Sequence, residues 1–151
     1  MDWAIAQCRS SSMILVDTNV FSELTKTTPD DSVVNWLFAH RNETLLSTIV
    51  LAELTIGIRT TPSARKRALL LPWLDRLIAR HDGRIVPFDL AHATKWGEFG
   101  SRVLISGQRV GSRQFDTLIA AQAMALGVAL ATRNVRDFED IAVVTIDPWR
   151  S

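Results

Sequence analysis

The sequence predicts an α/β fold, a three-layer sandwich with a mainly parallel central sheet of about five strands flanked by helices. Two observations carry that prediction. Short apolar runs end abruptly in polar residues, as buried parallel strands do where they hand over to a helix. Between them stand longer stretches with helical spacing and recognisable caps, so strand and helix alternate along the chain. The length of 151 residues, with 47% hydrophobic and 22% charged residues, suits one hydrophobic core and excludes disordered and low-complexity classes. Residues 13–149 are expected to form a single domain. A loose, flexible extension without secretory character is expected over residues 1–12 (MDWAIAQCRSSS).

Residues 13–17 (MILVD) are the first strand, ending in the polar trio Asp17, Thr18 and Asn19. Asp30 and Asp31 precede Val33, Val34, Trp36 and Leu37, which places acids at the positive end of a helix with i, i+1, i+3, i+4 apolar spacing. Residues 44–47 form a second strand, and Thr48 is placed to cap a helix through Leu51, Leu54 and Ile58. Pro62 opens the next helix; Pro72, which lacks an amide, is expected to kink it or split it in two. Residues 84–88 (RIVPF) are a third strand ended by its proline, after which Asp89 caps a helix running toward Leu104 and closed by Gly107. Residues 115–126 make the most apolar helix, with Gly127 at its C-terminal cap, and residues 128–132 and 142–146 are the fourth and fifth strands.

The single cysteine, Cys8, cannot form an internal disulfide, and no cysteine–histidine cluster offers a zinc site. A reducing cytoplasm is therefore the expected setting. The longest charge-poor stretches, 45–58 and 118–132, contain Glu53 and Gln122 and fall short of the roughly 18 apolar residues a membrane span needs. No membrane partner is expected. The net charge of +1 hides an asymmetry: residues 59–113 hold eleven Lys and Arg against four Asp and Glu, leaving six against twelve elsewhere. Such a distribution fits a polyanion-binding surface beside an acidic site, although solvated arginines on outer helix faces would produce the same count.

Three carboxylates stand where burial makes them expensive. Asp17 ends a buried strand, on the edge where open α/β sheets bind ligands, or else it caps the helix that follows. Glu53 is surrounded by Ile49, Val50, Leu51, Ala52, Leu54, Ile56 and Ile58, and an unpaired carboxylate in such surroundings costs several kcal/mol. Either a cation or an open cleft serves it, or it lies on the one wet face of its helix near Arg59. Asp116 stands alone at the front of the apolar helix, where the helix dipole also welcomes it. Convergence explains the three better than three separate capping accidents, because clustered carboxylates raise one another's pKa unless a cation neutralises them. An all-oxygen set suits hard Mg²⁺ or Mn²⁺.

After the fourth strand, Asn134 occupies the slot that Asp17 has after the first; it could orient a water, or serve as a plain turn or capping asparagine. Asp137 lies three residues on and adds charge through a water or faces solvent. His40, His81 and His92 fall late or outward on the expected helices and read as structural. Ser22, Ser47 and Ser112 lack a His/Asp partner, and neither a GxGxxG run nor a Walker lysine is present. Trp36 and Trp96 fit helical apolar spacing and read as core or dimer packing.

The run Met13-Ile14-Leu15-Val16-Asp17-Thr18-Asn19-Val20, the Ala52-Glu53-Leu54 core of residues 47–57, the segment Asp116-Thr117-Leu118-Ile119-Ala120-Ala121 and the closing Ala131-Thr132-Arg133-Asn134 resemble, in order and spacing, the motifs of PIN-domain proteins. The tail Asp147-Pro148-Trp149 is similar to that of the VapC and FitB type. The resemblance implies a PIN-like sandwich and a Mg²⁺- or Mn²⁺-dependent endoribonuclease, the toxin of a bacterial type II toxin–antitoxin system. It implies a homodimer or toxin–antitoxin hetero-oligomer, silenced by a small VapB-like antitoxin through which it meets operator DNA. In that reading Asp17 and Asp116 are the principal metal ligands, Glu53 binds the ion through water or helps activate the nucleophile, and Asn134 completes the catalytic set. Thr18, Asn19, Thr132 and Asp137 support these groups, and Arg113 and Arg133 are candidate phosphate clamps. Many relatives carry Asp where this chain has Asn134, which favours one ion over two.

Two other acidic Mg²⁺-binding classes fit less well. A phospho-acceptor receiver domain wants paired acids after the first strand, where Thr18 and Asn19 stand, and a lysine after a late strand, whereas Lys95 falls mid-helix. A haloacid-type phosphatase needs a second Asp where Asn19 stands. The stronger rival is a catalytically weak PIN module acting mainly as the partner of a DNA-binding antitoxin.

Overall fold

The computed structural model describes residues 12–105 and 114–151; the expected extension up to residue 11, Gly107 and Arg113 lie outside them. Five strands, β1 (Ile14–Val16), β2 (Thr44–Ser47), β3 (Ile85–Val86), β4 (Ala129–Ala131) and β5 (Thr145–Ile146), form one sheet in the order β3-β2-β1-β4-β5. Every pairing is parallel. Leu15 sits opposite Leu45 on one side and Leu130 on the other. Leu15, Val16, Leu46, Leu130 and Ala131 are fully buried, as strands covered on both faces must be.

Parallel pairing requires crossovers, and helices supply them. Helices α1 (Thr18–Glu23) and α2 (Asp31–Ala39) join β1 to β2; α3 (Thr48–Arg59) and α4 (Ala64–Arg80) join β2 to β3; α5 (Leu90–Ile105) and α6 (Gln114–Leu126) come before β4. A 3₁₀ turn, Val135–Phe138, precedes β5. The core faces follow helical spacing: Val50, Leu54 and Ile58 of α3, Leu74 and Leu77 of α4, and Ile119, Ala120 and Ala123 of α6 join the buried strand residues in one cluster.

Local chemistry explains where the elements begin and stop. Ser47, not Thr48, caps α3, its hydroxyl accepting the Ile49 amide at 3.1 Å. α4 opens at Ala64 rather than at Pro62, with Ser63 capping it by accepting from the Lys66 amide. Asp89 accepts the His92 amide at 3.1 Å, as expected of the cap of α5. α6 closes with Gly127 at a φ of 68°, while the Gly127 amide donates to Met124 and the Val128 amide to Ala123. This Schellman arrangement needs the left-handed conformation that glycine adopts without strain. β2 has the expected bounds, whereas β1, β3, β4 and β5 are shorter than expected because pairing ends where partners run out, and β3 stops at Val86 before Pro87, which has no amide to give.

Pro72 does not split its segment: α4 runs unbroken from Ala64 to Arg80 with Pro72 inside it. The proline is exposed, so the Ala68 carbonyl deprived of its i+4 partner faces solvent and can be hydrated. Pro72→Ala restores that hydrogen bond on an exposed face and is expected to stabilise the protein by about 1–3 kcal/mol. A denaturation midpoint that fails to rise would mean the proline is already compensated.

The chain proceeds outward from β1 through β2 to β3, then returns to the other side of β1 at β4. This reversal opens a crevice outside the carboxyl ends of β1 and β4, where sheets of this kind bind ligands.

Candidate active site

Asp17 follows β1 into that crevice and is only 3% exposed. Its Oδ1 accepts the Thr18 amide at 2.7 Å and its Oδ2 accepts the Thr132 hydroxyl at 2.8 Å. Asp17 is also the N-cap of α1, so the capping role and the ligand-edge position coincide in one side chain. Thr132 follows β4, and its Oγ1 accepts the Asn134 amide at 3.2 Å. The neighbouring strand ends are thereby tied through a carboxylate.

Glu53 reaches the same place from α3. It is half-buried, and its Oε1 accepts the Thr18 hydroxyl at 2.9 Å. Thr18 therefore serves both acids, its amide holding Asp17 and its hydroxyl holding Glu53. The partner the structure gives Glu53 is this hydroxyl rather than Arg59. A groove of about 190 Å³ opens beside Thr18 and Glu53, with Leu54, Ile58, Leu70 and Trp73 on its walls.

Asp116 stands in the first turn of α6, half-buried, and its charge is felt at both other acids. Burial is the main force pushing the Asp17 carboxyl up to about 6. The Thr132 hydroxyl opposes the rise, Asp116 adds to it, the Thr18 amide opposes it and Asp137 adds to it. Glu53 is also pushed above the usual carboxylate range, first by burial, against the pull of the Thr18 hydroxyl, and then by Asp17 and Asp116. Four acids from four elements thus press on one region. Among the described residues, no three acidic or histidine side chains are drawn together tightly enough to enclose an ion as they stand. Asp17, Glu53 and Asp116 offer only carboxylate oxygens, and the repulsion among them is what a hard divalent cation relieves, so their chemistry fits such an ion.

Asn134 is exposed at the cap position of the 3₁₀ turn, yet its side chain makes no capping hydrogen bond. Asp137 in that turn is exposed. The Asn19 Oδ1 accepts the Arg133 amide at 3.3 Å, and the Arg133 guanidinium lies 5.0 Å from the centre of the Trp149 ring. Trp36 is buried in the core, and Trp96 donates its indole N–H to Thr117 at 3.1 Å. Of the histidines, His81 and His92 are neither outward nor idle. His81 is buried, its Nε2 3.0 Å from Thr44 Oγ1 and its Nδ1 2.8 Å from Leu77 O, while His92 sits in the first turn of α5 at 2% exposure.

Residues 14–144 match the model of the PIN domain. The chain belongs to the PIN-domain family. It is 37% identical over 139 residues to "VapC ribonuclease Y4jK" of Sinorhizobium fredii, covering 91% of this chain and 98% of that protein. It is 33% identical to "Toxin FitB" of Neisseria gonorrhoeae, over 91% of this chain and 99% of the relative. The fold superposes on the crystal structure of FitAcB from Neisseria gonorrhoeae with a TM-score of 0.82 at 32% identity, covering 92% of this chain and all of that one. Among the described residues, no helix of this PIN-domain chain is long and apolar enough to cross a membrane.

Sequence reasoning passed over Ser47 and Gln122, whose side chains meet in the interior of this PIN domain. One signal was available: Gln122 lies in a run of apolar residues from Leu118 to Leu130, where a buried amide demands a partner.

Proposed function

We propose that this chain is a metal-dependent endoribonuclease, the toxin of a bacterial type II toxin–antitoxin system, and that it works in the cytoplasm. The observation that supports it is the buried Asp17 at the sheet's switch point, sharing Thr18 with Glu53 and under the charge of Asp116, in a chain 37% identical to a protein named a ribonuclease. Residues 13–149 act as one domain. Asp17 and Asp116 would hold a Mg²⁺ or Mn²⁺ ion, with Glu53 completing the set, and the neutral amide of Asn134 favours one ion over two.

When bound, the ion supplies Lewis acidity, lowering the pKa of water and offsetting charge on the scissile phosphate. The chain's own groups do the rest. Thr132 and Thr18 orient the Asp17 oxygens. Glu53, with its raised pKa, takes a proton from the attacking water at its carboxylate. Arg133, exposed beside the crevice, contacts substrate phosphate, and Asn134 orients water. Relatives solved as FitAcB, as FitAB bound to the IR36 DNA fragment and as VapBC2 bound to a DNA fragment from the promoter support a VapB-like antitoxin as partner and operator DNA reached through it; a homodimeric toxin rests on the motif resemblance alone. The alternative, a catalytically weak module serving chiefly that antitoxin, draws on the neutral, uncapped side chain of Asn134.

Purified protein freed of its partner is expected to cleave structured RNA with Mg²⁺ or Mn²⁺ and not with chelator present. Asp116→Asn should stop the reaction while leaving the fold intact. Metal-independent cleavage, or full activity in the variant, rejects the assignment; absence of cleavage with antitoxin binding intact favours the alternative. Glu53→Gln is expected to lose most activity while keeping or raising the thermal midpoint, because it removes one of the repelling charges. A large fall in midpoint would make Glu53 structural.

A further inference from the structure

Gln122 is completely buried, and the described contacts of its side chain are a hydroxyl, two backbone carbonyls and an imidazole. Its Oε1 accepts the Ser47 hydroxyl at 2.5 Å. Its Nε2 lies 3.4 Å from Val86 O, 3.3 Å from Pro87 O and 3.3 Å from His92 Nδ1. The Asp89 amide donates to that same Nδ1, so the nitrogen is an acceptor and the ring proton sits on Nε2. One amide thus joins four elements: the end of β2, the end of β3, the first turn of α5 and the middle of α6.

Of these, α6 carries Asp116, and the end of β2 leads directly into α3, which carries Glu53. Ser47 caps α3 with the same oxygen that donates to Gln122, and Glu53 lies six residues further along that helix. Gln122 lies six residues beyond Asp116 on α6. At 1.5 Å per residue, each end of the Ser47–Gln122 bond is about 9 Å along its helix axis from a carboxylate. A helix that slides or rotates on its neighbour carries its carboxylate with it, and a site of converging ligands is sensitive to displacements of about 1 Å. The two helices pack directly on each other, and apolar packing alone, being non-directional, leaves such sliding weakly opposed. A buried and satisfied polar contact supplies the direction.

We infer that Gln122 is a positioning residue: with Ser47 it forms a strut that fixes the separation of the Glu53 and Asp116 carboxylates. The inference rests on the metal-dependent nuclease reading for its consequence, though not for its geometry. Neither Ser47 nor Gln122 touches substrate or ion; both act through the helices they lock.

The test uses the full chain with Cys8→Ser and spin labels on Ile56→Cys of α3 and Phe115→Cys of α6, both exposed positions. Label-to-label distances are measured by double electron–electron resonance, and Mn²⁺ affinity by calorimetry and RNA kinetics at saturating Mn²⁺ are measured on the unlabelled chain. Gln122→Leu and Ser47→Ala are each compared with the parent well below their own melting midpoints. Expected in both are a broadened distance distribution, Mn²⁺ bound about tenfold more weakly, and a kcat lower by about tenfold with KM for RNA unchanged. The double variant should be little worse than either single one, because each cuts the same strut. Distances, Mn²⁺ affinity and kcat equal to the parent's, with only a lower melting midpoint, overturn the inference. If Gln122→Leu does not fold, Ser47→Ala alone decides by the same readouts. Broadened distances in a chain whose parent neither binds Mn²⁺ nor cleaves RNA uphold the strut and reject the nuclease reading.

Discussion

Asp17→Asn is expected to reduce metal-dependent RNA cleavage by about three orders of magnitude or more while leaving the apo protein as stable as before, or more so. The loss follows from removing a charge that no neighbour replaces; a Lewis acid contributes several kcal/mol to such a reaction, and about 4 kcal/mol is a thousandfold in rate. The stability follows from burial. The Asp17 carboxyl is pushed from 3.8 to about 6, roughly two units, so holding it ionised above pH 7 costs the native state about 3 kcal/mol. Asparagine carries no charge, caps a helix about as well as aspartate and still accepts the Thr18 amide through its oxygen. Its NH₂ meets Thr132 Oγ1, a hydroxyl with a lone pair to spare beside the Asn134 amide. A net gain of about 1–2 kcal/mol remains, read as a higher melting midpoint at pH 7.5. Retention of a tenth of the activity would remove Asp17 from the ligand set, and a sharply lower midpoint would make its hydrogen bonds purely architectural.

The acids were legible because each interrupts an apolar pattern: Glu53 between Ala52 and Leu54, Asp116 ahead of Leu118 and Ile119, Asp17 after Val16. A sequence displays a charge in the wrong environment directly. It does not display the hydroxyls that make the environment tolerable. Thr132 reaches Asp17 across 115 positions and Thr18 reaches Glu53 across 35; no local pattern marks either threonine, and only the motif resemblance singled them out as supports. The same reason hid Gln122 and His92, polar residues satisfied only by tertiary contacts. The element order was legible from caps and apolar runs, and β2 falls where expected because Ser47 closes the strand and caps the following helix at once. Of the two outcomes expected of Pro72, a split is excluded by the unbroken helix, because the carbonyl it frees lies on an exposed face where water can reach it. The length of β3 misled because pairing with β2, not apolar character, decides where a strand ends.

The stability of the apo protein should respond to pH in a sense that a bound cation reverses. With a folded pKa of about 6 against 3.8, the native state binds more protons at Asp17 than the unfolded chain does between those values. Unfolding free energy from this group is therefore full below about pH 4 and is lost as pH rises through 6. Glu53, also raised, acts in the same sense. His81 opposes them: burial, with Arg84 and Arg80 nearby, lowers its pKa, so its contribution grows as pH rises and is lost on acidification. The difference between the parent and Asp17→Asn cancels His81 and leaves Asp17 together with its coupling to Glu53, which has the same sign. That difference should move by about 2–3 kcal/mol between pH 4, where the parent is the more stable by about 1 kcal/mol, and pH 7.5, where the variant is the more stable by about 1–2 kcal/mol; at about 2–4 °C per kcal/mol, the midpoints at pH 7.5 separate by about 2–8 °C. A ligand that requires ionised carboxylates inverts the trend. Mn²⁺ at about 100 times its dissociation constant adds about 2.7 kcal/mol, and this gain should be present at pH 7.5, nearly absent at pH 5 and missing from Asp17→Asn. An equal Mn²⁺ shift at both pH values, or an undiminished shift in the variant, would mean that the ion binds elsewhere and that the strain at Asp17 serves some other end.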